Sequence, residues 1–137
     1  ALVGGCDRGV VDRLTAFGNA YGMAFQIVDD ILDLVATDEE LGKPSGNDIR
    51  EGVYTLPVIR MLADGDRVGE LLGRPLDDDD RDRARAMVVE GAHIATSVTT
   101  ARTYVDAALG ELHGLPDTPA LSGLSAAARN LLSALPD

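Results

Sequence analysis

Three carboxylates fall close together where Asp29-Asp30-Ile31-Leu32-Asp33 interrupts an apolar run. On an α-helix, at about 100° per residue, Asp33 sits roughly 40° from Asp29 and roughly 60° from Asp30, on the side between them. Gln26 precedes Asp29 by three residues and Asp30 by four, so it joins the same stripe. The rest of that helix surface is Met23, Ile27, Val28, Ile31, Leu32, Leu34 and Val35. A helix apolar on nearly every side is expected to be buried. Like charges at this spacing raise one another's pKa, and desolvation raises them further. Two outcomes relieve the cost: protonation of some carboxyls, or a cation among them. Mg²⁺ favours one or two carboxylates together with phosphate oxygens. The stretch 21–35 therefore reads as half of a metal–phosphate site, with Asp29, Asp30 and Asp33 as candidate ligands. The alternative is a solvated acidic face, and the apolar residues on both sides of the aspartates argue against it.

Several elements must hold these groups in place. Periodic apolar positions from Val10 to Val35 predict one long helix with Asp7 as its N-cap. Gly18 and Gly22 share a face of it and would permit close approach by a helix or ligand. Residues 37–55 read TDEELGKPSGNDIREGVYT and are rich in turn formers. They predict a long loop able to fold back over the aspartates, and long loops are often functional. Lys43 in that loop is a compact charge with three donors, suited to phosphate; a solvated loop lysine is the alternative. Leu56-Pro57 starts a helix that stops near Asp64-Gly65, with Pro in the first turn where a missing N–H costs nothing. A short helix over 66–72 follows. Further helices run from about Arg81 to Glu90, on through Leu112, and over 118–135.

Asp77-Asp78-Asp79-Asp80 is a tempting metal site, but it opens a helical pattern. There aspartates cap the helix and meet the positive end of its dipole, and Arg81, Arg83 and Arg85 are near enough to neutralise the remainder. Glu90 and His93 have the Glu-x-x-His spacing of di-iron bundles. His113 lacks the matching glutamate, since Gly110 stands there. Both histidines are read as surface or helix-end residues.

Composition sets the outer bounds. With 137 residues the chain is about one domain's worth. Strand signals are scarce, aromatic content is 4%, and the chain reads as all-α. A net charge of -11 argues against a nucleic-acid partner, which needs a basic face. It does not exclude an anionic substrate, because metal ions invert the local field. No apolar stretch reaches membrane-spanning length without a charge. Cys6 is the single cysteine and cannot form an internal disulfide, so a reducing cytoplasm is expected. The chain begins Ala1-Leu2-Val3, and the expectation is a piece of a longer polypeptide.

The ordered string from Phe25 to Pro57 resembles the second aspartate-rich region of the trans-isoprenyl diphosphate synthases (the polyprenyl synthetase family). It comprises Phe25-Gln26, Asp29-Asp30-Ile31-Leu32-Asp33, Leu41-Gly42-Lys43-Pro44-Ser45-Gly46-Asn47-Asp48, Arg50-Glu51-Gly52 and Thr55-Leu56-Pro57. Asp-Asp-x-x-Asp alone would be a weak signal; the string as a whole is specific. The later helices, with the Gly91-Ala92 break and Tyr104-Val105, match more loosely.

The resemblance implies an antiparallel helical bundle of the isoprenoid synthase type around a deep cavity, usually a homodimer. Residues 1–137 would be the C-terminal part of one such domain, its N-terminal half missing. In the family, aspartate motifs on facing helices hold Mg²⁺, which binds the diphosphate of an allylic substrate. Diphosphate leaves, isopentenyl diphosphate attacks the allylic cation, and loss of a proton gives a longer polyprenyl diphosphate. By resemblance Asp29 and Asp33 ligate metal with Asp30 in support. Lys43 touches the allylic diphosphate, Gln26 hydrogen-bonds beside it, and Phe25 lines the isopentenyl site. These roles suit electrostatic stabilisation of a leaving group in a water-excluding site.

Two departures stand out. Val53 occupies a position where many members carry a lysine that reaches diphosphate. The first aspartate-rich motif and the basic residues for isopentenyl diphosphate are absent from these 137 residues, so the chain alone is expected to be inactive. The rivals are a terpene cyclase, a non-catalytic partner subunit of a prenyl synthase, and a plain helical interaction module. A cyclase would carry a more widely spaced metal triad, and a non-catalytic subunit usually loses aspartates that are intact here. Product length and the natural primer are not encoded in these residues.

Overall fold

The computed structural model describes residues 1–42, 44–65 and 67–135. Among them every regular element is helical. In chain order these are α1 (Arg8–Val35), α2 (Asp38–Leu41), α3 (Asn47–Glu51), α4 (Leu56–Ala63), α5 (Asp78–Glu90), α6 (His93–Leu112) and α7 (Pro119–Leu131). Turns of 3₁₀ helix lie at Arg67–Glu70 and Leu132–Ala134. No helix is long and apolar enough to cross a membrane among the described residues.

Side-chain caps open three of the helices. Asp7 accepts the Val10 N–H at 3.0 Å and opens α1. Asp77 accepts the Asp80 N–H at 2.9 Å and opens α5, with Asp78, Asp79 and Asp80 in the first turn against the helix dipole. Thr118 accepts the Leu121 N–H at 3.1 Å ahead of Pro119. The acidic run is thus a helix start. Arg81 pairs with Asp78 at 3.2 Å and Asp82 at 2.7 Å, Arg83 with Asp80 at 3.6 Å, and Arg74 with Asp80 at 2.5 Å. The expectation for the segment 37–55 needs correction. It is not one irregular loop but contains the short helices α2 and α3, because αL glycines at Gly42, Gly46 and Gly52 turn the chain between them. The helix expected over 66–72 is a 3₁₀ turn over its described part.

The chain divides into two compact units. One comprises Ala1–Val28 with Thr100–Asp137, the other Asp29–Thr99. In the first, Phe17, Ala24, Val105, Ala108, Leu112 and Ala128 form the core. Arg13 closes the C-terminal end of α6 by donating to the carbonyls of Gly110 and His113, which satisfies acceptors that a helix end leaves open. Gly18 and Gly22 lie on an exposed face of α1, and no described residue stands within 4 Å of where a Cβ would be.

In the second unit, Leu34, Ile49, Val58, Met61, Val68, Leu76, Ala84 and Val88 are the core. Ile49 is 1% exposed and ties α3 to it, whereas Ile59 on α4 is 51% exposed. Buried Ser97 receives a hydrogen bond from Arg60 at 3.3 Å. Thr55 precedes α4 without a side-chain cap, and its buried hydroxyl has no partner among the described residues. Replacing Ile49 by Ala is expected to cost about 2–5 kcal/mol through lost burial and a cavity. Asp77→Ala should cost about 1 kcal/mol through the lost cap. Thr55→Val should be neutral or stabilising, because it removes an unsatisfied buried hydroxyl. Denaturant midpoints of the three variants check the order; a stable Ile49→Ala protein would contradict the core assignment.

Candidate functional site

The aspartate motif lies on the last two turns of α1, in the second unit. The structure divides it by environment. Asp29 is exposed, and no hydrogen bond or ion pair holds it among the described residues. Asp30 is half-buried. Asp33 is only 4% exposed. The expectation of a helix buried on every side is therefore corrected: only the third carboxylate is enclosed. Met23 at 47% and Phe25 at 52% are also open, because no element among the described residues covers that face. Among the described residues, burial reaches Asp33 fully, Asp30 in part and Asp29 not at all.

Asp33 is engaged by the segment that follows. Its Oδ2 accepts the Asp48 N–H at 3.2 Å, and its main-chain carbonyl accepts the Gly46 N–H at 2.7 Å. One residue thus holds the turn into α3 through both side chain and backbone. A third bond closes the intervening segment at its base: Asp38 Oδ1 accepts the Ser45 N–H at 2.8 Å. This bond, with a second from the Ser45 hydroxyl and the nearby charges of Arg81 and Arg85, holds the Asp38 carboxyl below the usual aspartate range. Residues 37–55 do fold back onto the aspartate helix, as the turn formers suggested.

Lys43 lies outside the described residues. Gln26 and Phe25 sit one helical turn before Asp29 and Asp30 and are both exposed. The Phe25 ring lies against Tyr21 with centroids 6.5 Å apart, and Tyr21 stacks on Phe17 at 5.8 Å. Val53 is 52% exposed. Among the described residues no group of three or more His, Cys, Asp or Glu side chains could hold a metal ion by itself. That is compatible with a Mg²⁺ half-site, which needs only one or two carboxylates beside phosphate oxygens. Asp29 offers hard oxygen donors on a rigid helix, and Asp30 stands next to it. Glu90 is exposed and His93 begins α6, its Nε2 3.9 Å from Asp64, so no di-iron arrangement forms there.

Two residues at the site were missed by the sequence reading. Asp38 had only a weak signal, a carboxylate at the head of a turn-rich segment, because its partner Ser45 lies seven residues on. Arg85 had none. It was assigned to the acidic run beside it, yet its Nε donates to the Leu34 carbonyl at 2.6 Å and Nη2 to the Ala36 carbonyl at 3.3 Å.

An all-helical chain ending its long helix in an aspartate triplet, with a stapled turn behind it, has clear counterparts. The polyprenyl synthetase family model matches residues 1–90, and the chain belongs to that family. It is 40% identical over 119 residues to heptaprenyl diphosphate synthase component 2 of Geobacillus stearothermophilus, which covers 85% of this chain and 37% of that protein. It is 38% identical over 121 residues to nonaprenyl diphosphate synthase of Mycobacterium tuberculosis, covering 85% of this chain and 36% of that protein. Among solved structures it is similar to heptaprenyl diphosphate synthase of Staphylococcus aureus, with TM-score 0.84, 29% identity, and coverage of 93% of this chain and 41% of that one. Geranylgeranyl pyrophosphate synthase of Corynebacterium glutamicum, complexed with calcium and isoprenyl diphosphate, gives TM-score 0.84 at 34% identity and covers 97% and 43%. The all-α fold is therefore that of the helical isoprenoid synthases, and the chain spans well under half the length of these relatives.

Because the Asp38 pKa is depressed in the folded state, its bond to Ser45 stabilises fully above the unfolded value of about 3.9. That stabilisation is lost as pH falls through the lowered folded value. Asp38→Asn should flatten the acid limb of the stability–pH profile, and a carboxyl carbon titration should put Asp38 below other exposed aspartates. An ordinary titration of Asp38 would contradict the staple.

Proposed function

We propose that the full-length protein is a Mg²⁺-dependent prenyltransferase. It condenses an allylic diphosphate with isopentenyl diphosphate, head to tail, into a longer polyprenyl diphosphate. This chain supplies the second metal and diphosphate half-site within a single polyprenyl synthetase domain. The observation that carries the reading is the aspartate triplet, intact in a member of the family, with Asp29 open on a rigid helix beside the anchored segment 44–48.

Asp29 and Asp30 would hold the metal. By resemblance Asp29 and Asp33 were the expected ligands with Asp30 in support; one Asp33 oxygen accepts the Asp48 N–H, which favours Asp30 as the partner of Asp29. When bound, Mg²⁺ supplies the charge that stabilises a departing diphosphate. The calcium and isoprenyl diphosphate complexed by the Corynebacterium glutamicum relative support a divalent metal and a diphosphate as ligands of the full-length protein. Gln26 would orient the diphosphate from the preceding turn by hydrogen bonding. Phe25 would offer an apolar wall to the isopentenyl chain, and Lys43 a cation to the allylic diphosphate. Enclosure by further elements would exclude water from this face, which is open among the described residues.

A homodimer in the cytoplasm is the simplest assembly and compartment for this reading. Relatives temper both points: the Geobacillus stearothermophilus protein is named as component 2 of its synthase, and a Neurospora crassa relative as mitochondrial. The component name favours a second reading, in which the protein works with a different subunit. A catalytic role for this chain separates that reading from a purely supporting one.

In the full-length protein, Asp29→Asn is expected to weaken Mg²⁺-dependent binding of pyrophosphate at least tenfold, since even outer-shell ligand losses at metal sites cost about 10–100-fold. Calorimetry with and without Mg²⁺ measures this. Unchanged binding would exclude the metal half-site and leave a helical interaction module. The isolated 137 residues should give no turnover with an allylic diphosphate and isopentenyl diphosphate; turnover would contradict the need for upstream residues.

A further inference from the structure

Helix α1 carries the aspartate triplet in its last turns, yet it has no basic residue of its own there. Its final carbonyls would be left open at the negative end of the helix dipole. Arg85, on α5 and 51 residues away from Leu34 in sequence, fills that place. Its Nε donates to the Leu34 carbonyl at 2.6 Å and its Nη2 to the Ala36 carbonyl at 3.3 Å. The guanidinium thus forks across the C-terminal end of α1.

The stem of the same side chain has a second contact. Gly46 is buried, with φ +70°, and a Cβ there would stand 3.2 Å from Arg85 Cδ, 3.5 Å from Cβ and 3.6 Å from Cγ. Gly46 lies flat on the Arg85 methylenes while its N–H donates to the Asp33 carbonyl at 2.7 Å. Arg85 therefore touches both parts of the half-site. Its head holds the helix end that carries Asp29, Asp30 and Asp33, and its stem supports the turn that Asp33 binds. Its charge also contributes to lowering the Asp38 pKa at the base of the same segment. Arg81 shares only the last of these, its charge also lowering the Asp38 pKa; the side chains of Arg81 and Arg83 pair with Asp78, Asp80 and Asp82.

We propose that Arg85 is a positioning residue of the diphosphate half-site, setting the end of the aspartate helix against the turn at 45–48 without touching substrate itself. The proposal rests on the function proposed above. Methionine at 85 would keep the apolar stem and lose the fork, while lysine would keep the charge and a single point of attachment.

The test uses the full-length protein at a temperature where every variant is folded. Arg85→Met is expected to weaken Mg²⁺-dependent pyrophosphate binding about tenfold, the scale of one charge-assisted hydrogen bond, and to speed amide exchange at Gly46 and Asp48. Arg85→Lys should recover part of the affinity, and Arg83→Met should change neither readout. A folded Arg85→Met protein with wild-type affinity would overturn the proposal even if its melting temperature fell, since a merely stabilising side chain predicts that pattern. Unchanged exchange at Gly46 and Asp48 would overturn it equally. Asp29→Asn run alongside keeps the two ideas apart. If that variant also binds normally, the diphosphate reading fails, and amide exchange alone decides whether Arg85 seats the turn.

Discussion

The second unit depends on how one helix end is closed. A helix that stops at Val35 leaves its last carbonyls without intrahelical partners, and leaving such groups buried and unmet is costly. Here they are met by the returning chain and by a distant arginine. Gly46 N–H takes the Asp33 carbonyl, Arg85 takes Leu34 and Ala36, and the Asp33 side chain takes Asp48 N–H. The segment after the aspartates is thereby bound to the helix that bears them.

This closure explains why three aspartates in one motif end in different surroundings. Asp33 faces the returning backbone and is enclosed by it. A buried carboxylate needs donors, and an N–H at the start of a short helix provides one. Asp29, one turn earlier on the same stripe, stays open. The first position leaves its carboxylate exposed, while one oxygen of the third accepts a backbone N–H. Such a division suits a Mg²⁺ site, in which few protein ligands and several phosphate or water oxygens complete the shell.

The same logic recurs in the first unit, where Arg13 reaches the C-terminal carbonyls of α6. In both units an arginine from another helix closes a helix end that lacks basic residues of its own. Arginine suits the task because its planar fork spans two carbonyls and its stem packs on apolar atoms. The acidic balance of the chain, -11 overall, is thus not evenly opposed by its few cations. Two of them, Arg13 and Arg85, are committed to backbone carbonyls.

Periodicity and capping chemistry were enough to read α1, α4, α5, α6 and α7 from the sequence, and with them the all-α class. Asp7, Asp77 and Thr118 act over three residues, so their signals are local. The family was legible for a similar reason: its motif is a contiguous string from Phe25 to Pro57. Tertiary structure alone decided which aspartate is enclosed, that α2 and α3 form within 37–55, and that Arg85 belongs to α1 and not to its neighbouring aspartates. Helical spacing shows which residues share a stripe. It does not show what lies opposite, because burial and long-range hydrogen bonds depend on the elements that return to that face, and their approach is written in no local pattern.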